Sequence, residues 1–163
     1  MPVGSENKYY QPSTTNHYPS SPYLNKLNQK MKSIKVQAPA TVANLVCGFD
    51  VLGLCLDAPY DIMEVRLLNE KKVTIQSADG YNLPSDPQQN TAGAPLVEMI
   101  NELPGNVGFD VIIHKHIKPG SGIGSSAASA AGAVVAANML LDNIFSKEDL
   151  VRFAMFGEKL HRA

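Results

Sequence analysis

The sequence predicts an α+β domain, and three observations predict it. Three short alternating strands precede the first helix, a fourth strand passes through a glycine-rich loop into a second helix, and a third helix follows directly. The chain's 163 residues, 44% of them hydrophobic, are enough for one core and one domain. Fourteen Lys and Arg against fifteen Asp and Glu leave it nearly neutral, without the basic footprint of a nucleic-acid binder. Cys47 and Cys55 have no second pair to complete a zinc site or a disulfide framework, and read as packed, reduced thiols of a cytoplasmic protein. No apolar run reaches membrane-spanning length and residues 1–30 lack the apolar centre of a signal peptide, so no membrane partner is expected.

Residues 1–30 differ from the rest. Pro2, Pro12, Pro19 and Pro22 stand among Ser, Thr, Asn and four tyrosines without periodic apolar spacing. Burial there cannot offset the entropy of ordering, so a disordered extension is expected, with Met31 the natural start of a domain over 31–163. Residues 33–38 alternate as a first strand. Residues 44–53 read as an irregular loop of turn residues, ending in apolar Val51, Leu52, Leu54 and Leu56. Residues 61–68 and 72–77 are two further strands, turned by Asn69-Glu70. After a polar loop over 84–89, Asn90 opens a helix through Ala94, Leu96, Val97 and Ile100 that ends near Pro104-Gly105.

Phe109, Val111, Ile113 and Ile117 then alternate with Asp110, His114 and His116, the pattern of a half-buried strand. The two histidines fall on its solvent side and are assigned no role. From Ser125 onward, Ala127, Ala128, Ala130, Ala131, Val134, Val135 and Ala137 form a helix with almost no polar face, which should be buried. Ser146 and Asp149 make a capping box, and Leu150, Phe153, Ala154 and Gly157 share one face of the last helix.

Between the fourth strand and its helix lies Lys118-Pro119-Gly120-Ser121-Gly122-Ile123-Gly124-Ser125-Ser126-Ala127-Ala128. Glycines let backbone amides turn toward an anion, and the first turn of a helix has donors without partners at its positive end. The hydroxyls of Ser125 and Ser126 add donors or a metal ligand. A tight turn capped by Ser125 would need fewer glycines than these. The loop is not a Walker A motif, since no Gly-Lys-Ser/Thr closes it. A dinucleotide fingerprint fails on context, because Asp142, at the right distance, ends a helix instead of a second strand.

Other candidates carry simpler readings beside chemical ones. Glu158 sits at the edge of an apolar face, where a carboxylate is costly to desolvate unless something positive meets it; by spacing alone it is a solvated helix-end glutamate. Asn44 and Asp50 are ordinary loop-capping residue types. Asn90 is an ordinary N-cap.

The loop 118–128 resembles the phosphate loop of the GHMP small-molecule kinases. A second stretch, Ala38-Pro-Ala-Thr-Val-Ala-Asn44 through Gly48-Phe-Asp50 to Gly53, is similar to the N-terminal signature of the homoserine kinases within that family. The resemblance implies a two-layer N-terminal GHMP-kinase domain of the ribosomal protein S5 domain 2-like type, ATP and Mg²⁺ as cofactors, and L-homoserine as substrate. It implies phosphorylation of the homoserine side-chain hydroxyl to O-phospho-homoserine in threonine biosynthesis. It assigns the nucleotide to Asn90 and to Lys118, Pro119, Gly120, Ser121, Gly122, Ile123, Gly124, Ser125, Ser126, Ala127 and Ala128. Ser126 and Glu158 become the catalytic pair by holding Mg²⁺, while Asn44 and Asp50 grip the amino acid.

Two local departures stand out: the family's proline falls at Pro119 where Lys118 would be expected to hold it, and Val42 replaces a usual serine. Family members also continue past the position of Glu158 into a second, C-terminal domain, which this chain lacks, so the fragment alone is expected to be inactive. A homodimer of the full-length protein is left open. The alternatives are a GHMP kinase for another small alcohol, or a non-catalytic nucleotide-binding fragment.

Overall fold

A computed structural model describes residues 33–48 and 51–159. The expected disordered extension and Asp50 lie outside these residues. Strands β1 (Ser33–Ala43), β2 (Gly53–Leu68), β3 (Val73–Ser77) and β4 (Gly108–His114) form one sheet in the order β1-β2-β4-β3. The β1–β2 and β2–β4 pairs are antiparallel. The β3–β4 pair is parallel, so its connection must cross over, and helix α1 (Gly93–Glu102) makes that crossover. Helices α2 (Ser125–Leu140) and α3 (Lys147–Lys159) follow.

The result is the expected α+β arrangement in two layers. Met63, Val65, Phe109, Val111 and Ile113 from the sheet share one buried cluster with Leu96 and Met99 of α1, Val134 and Ala137 of α2, and Phe153 of α3. Burying that cluster is the main driving force for joining the layers. The opposite parity of the strands carries charge: Lys35 meets Glu64 at 3.0 Å and Arg66 meets it at 2.8 Å across and along β2. These two bonds, ahead of a small opposing effect of burial, hold the Glu64 carboxyl below its ordinary pKa. At Gly132, α2 lies so close to the sheet that a methyl would fall 2.8 Å from the Ala38 Cβ.

Four expectations need correction. The first hairpin is longer than expected, because Pro39 sits at a register irregularity between Pro39 and Thr41, where a missing ladder donor is tolerated. Leu54 and Leu56 therefore belong to β2, and the loop shrinks around a 3-10 turn at Val46–Gly48. Asn90 does not open α1. It closes a 3-10 turn at Pro87–Gln89, and its Oδ1 accepts from the Ala92 amide at 2.9 Å, so the helix starts at Gly93.

Helix α2 is buried except for half-buried Ser126 and Ala127 in its first turn and a stripe one residue in four wide, where Ala131, Val135 and Met139 are exposed. Cys47 and Cys55 are free and exposed, not packed, since both lie at the outer end of the hairpin. The capping box is as expected: Ser146 Oγ accepts from the Asp149 amide at 3.1 Å, and Asp149 Oδ2 accepts from the Ser146 amide at 3.2 Å. Among the described residues no helix is long and apolar enough to cross a membrane.

Candidate functional site

A cavity of about 410 Å³ opens where β4 hands the chain to α2. Of the residues the sequence assigned to a nucleotide, Asn90, Pro119, Gly120, Gly122, Gly124, Ser125 and Ser126 line it, with Leu83, Pro84 and Ile113 adding an apolar wall. Gly120, Gly122 and Gly124 have φ of 74°, 78° and 69°, the left-handed region that side chains rarely enter. At Gly124 space forbids a side chain as well, because a Cβ would fall 2.3 Å from the Thr41 Oγ1. Thr41 also donates its amide to the Ile123 carbonyl at 3.1 Å, tying the loop to β1 just past the strand's irregularity.

Helix α2 starts at Ser125, and its first intrahelical bond runs from the Ala128 amide to the Gly124 carbonyl at 2.9 Å. The amides of Ser125, Ser126 and Ala127 thus have no intrahelical acceptor, and the helix dipole is positive at the same place. That end of α2, open to the cavity, is suited to a phosphate.

The expected residues differ in what they leave open to the cavity. The Ser125 hydroxyl donates to the Ile117 carbonyl at 3.0 Å, so the donor this residue leaves for a ligand is its amide. Ala128 is buried and its amide engaged, so it belongs to the scaffold; with Ala38, Ala40 and Ile117 it forms a small core on which Ile123 packs. Lys118, Ser121, Ile123 and Ala127 do not line the cavity. Lys118 and Ser121 are exposed and close a turn, the Ser121 amide donating to the Lys118 carbonyl at 3.2 Å. Asn90 is 3% exposed, donating to the Pro84 carbonyl at 2.7 Å while capping Ala92. It both holds the turn and lines the cavity.

The Oε1 atom of Glu158 is buried and meets no hydrogen-bond partner among the described residues. A desolvated, unpartnered carboxylate oxygen is costly, and a cation would relieve it. No group of three or more His, Cys, Asp or Glu side chains converges among the described residues. Glu158 does not line the cavity; a cation beside its carboxylate would need ligand oxygens and water to complete its shell, a donor set that suits Mg²⁺. Asn44, at φ 58° just after β1, is exposed and does not line the cavity. Its expected companion Asp50 lies outside the described residues.

Two charged residues at the floor of the site escaped the sequence reading. Lys115 lines the cavity from below at 4% exposure, and Asp61 of β2 beneath it is fully buried. The Lys115 ammonium is paired with an Asp61 carboxylate oxygen. Burial pulls the Lys115 pKa down from its ordinary value, and the Asp61 bond and charge oppose this only in part.

Comparison with known proteins bears on the same elements. Residues 90–162 match the family described as GHMP kinases N terminal domain. Homoserine kinase of Methanococcus vannielii is 42% identical over 130 residues, covering 78% of this chain and 43% of that protein. A crystal structure of homoserine kinase from Cytophaga hutchinsonii superimposes with a TM-score of 0.74 at 46% identity, over 81% of this chain and 43% of that one. Mevalonate kinase of Methanococcus jannaschii shares the fold alone, with a TM-score of 0.59 at 15% identity. The chain spans less than half the length of the homoserine kinases it matches.

Proposed function

We propose that this chain, whose residues 90–162 match the N-terminal domain of the GHMP kinases, is the nucleotide-binding half of a homoserine kinase. The full reaction would move the γ-phosphate of ATP to the side-chain hydroxyl of L-homoserine, giving O-phospho-homoserine for threonine synthesis in the cytoplasm. The observation that carries the reading is the run of left-handed glycines opening onto the N-terminus of α2 beneath the cavity. Such a site meets triphosphate oxygens with fixed amides, and phosphoryl transfer depends mostly on positioning and charge neutralisation.

In this reading the amides from Gly122 to Ser126 cradle the phosphates and Asn90 borders the base. Ser126 and Glu158 would hold Mg²⁺, whose chemistry is to neutralise charge gathering on the phosphate oxygens. The buried Glu158 oxygen, without a partner among the described residues, supports that assignment. Asn44 and Asp50 would grip the amino acid from the hairpin side. One wall alone cannot exclude water or hold the hydroxyl in line, so the 163-residue chain by itself should bind nucleotide without turning over. Calorimetric titration with Mg·ATP, followed by a coupled ADP assay with and without L-homoserine, tests both parts. Absence of Mg·ATP binding would overturn the nucleotide assignment. Homoserine-dependent ADP release by this chain would overturn its proposed incompleteness.

A further inference from the structure

Lys115 and Asp61 take no part in the contacts just assigned, yet both are buried charges. A buried ion pair is weak as a stabilising device, because desolvation offsets much of the attraction and apolar replacements are often neutral. Its geometry suggests another purpose. The Lys115 Nζ donates to Asp61 Oδ2, to the Ser125 carbonyl at 2.8 Å and to the Ser129 Oγ at 2.8 Å. An ammonium has three N–H donors, so none is left for a ligand. Asp61 Oδ1 in turn accepts from the amides of His116 and Ile117, each at 2.8 Å. The end of β4 is thereby tied to the first turn of α2 beneath the glycine loop, independently of it.

The peptide between Ser125 and Ser126 is one planar unit whose carbonyl and N–H point in opposite directions. An ammonium on the Ser125 oxygen draws electron density from the Ser126 nitrogen and makes the Ser126 N–H a stronger donor. We propose that Lys115, held by Asp61, is a positioning residue of the nucleotide site: it acts on bound phosphate through the Ser125–Ser126 peptide, fixing and polarising the Ser126 amide without touching the ligand. The proposal deepens the kinase reading and rests on it.

The test compares the wild-type chain with the double variant Asp61→Asn/Lys115→Met, which replaces the pair by neutral groups of similar volume. Amide exchange is read residue by residue by NMR, alongside a Mg·ATP titration and a thermal melt. The expected double variant melts cooperatively, exchanges at least about tenfold faster at residues 121–127 but not at 133–140, and binds Mg·ATP about tenfold more weakly. Uniformly faster exchange across β2, β4 and α2 would mark a merely structural pair and overturn the proposal. So would unchanged loop exchange, or unchanged affinity beside a wild type that binds. A wild type that binds no Mg·ATP overturns instead the reading on which the proposal rests. Should the double variant not fold, Lys115→Arg keeps the charge but not the three-way geometry. It should show the same local loosening, and unaltered loop exchange in it overturns the proposal as well.

Discussion

Gly157 of α3 lies against Ala130 of α2 with no room between them: a methyl on Gly157 would fall 2.9 Å from the Ala130 Cβ and 2.4 Å from the Thr91 carbonyl oxygen. Ala130 is one helical turn after Ser126, so this close crossing brings the stretch of α3 that carries Glu158 toward the start of α2. Backbone cannot yield as a flexible side chain would. Gly157→Ala should therefore cost about 1–3 kcal/mol by overpacking, read as a lower denaturant midpoint. It should also weaken Mg·ATP binding by shifting Glu158. An unchanged midpoint would mean that the crossing is looser than described.

Glu158 should behave as a residue kept at the expense of stability. Its buried Oε1, without a partner among the described residues, carries a desolvation cost of about 1–3 kcal/mol. Glu158→Met should melt at or above the wild-type temperature in metal-free buffer, while Mg²⁺-dependent nucleotide affinity falls about tenfold or more. A clear drop in metal-free stability would show that the carboxylate has a structural partner.

The loop glycines should separate by environment. At Gly120 nothing lies within 4 Å of an added Cβ, so Gly120→Ala meets only the left-handed backbone, about 1–2 kcal/mol. Gly124→Ala meets that strain and the Thr41 hydroxyl besides. Urea unfolding should rank Gly124→Ala below Gly120→Ala; the reverse order would contradict the docking of this loop on β1.

Ser146→Ala removes the cap of α3 and should cost about 1 kcal/mol. Burial acts to raise the Asp149 pKa, but the bonds from the Ser146 hydroxyl and amide, with Arg152, outweigh it and hold the carboxyl below its ordinary 3.8. A carboxyl depressed in the folded state stabilises fully above the unfolded pKa and loses that contribution as pH falls through its folded value. Melting temperatures followed downward from neutral pH should thus show an acid-side loss below about pH 4 that is smaller in Ser146→Ala. Parallel curves would remove Asp149 from the account.

Much of this was legible because local chemistry and tertiary structure agree. The alternation of Phe109, Val111 and Ile113 marked β4, and the glycines announced a helix start that opens on a cavity. What stayed hidden depends on long-range partners. Lys115 occupies an inward position in the same alternation, between Ile113 and Ile117, and that parity was the available signal. A lysine there makes sense only once Asp61 arrives from β2. The Ser125 hydroxyl looked like a ligand donor for the same reason, since nothing local reveals that the Ile117 carbonyl waits for it. The length of the first hairpin was missed because Pro39 reads as a strand breaker unless a register irregularity accommodates it.

The bond from the Thr41 amide to the Ile123 carbonyl joins segments distant along the chain. The shape of the glycine loop therefore depends on β1, and bringing two such distant segments together carries a loop-closure cost that local structure alone does not offset. A synthetic peptide carrying only the fourth strand, the loop and the following helix would keep every recognisable letter of the motif and still hold no phosphate.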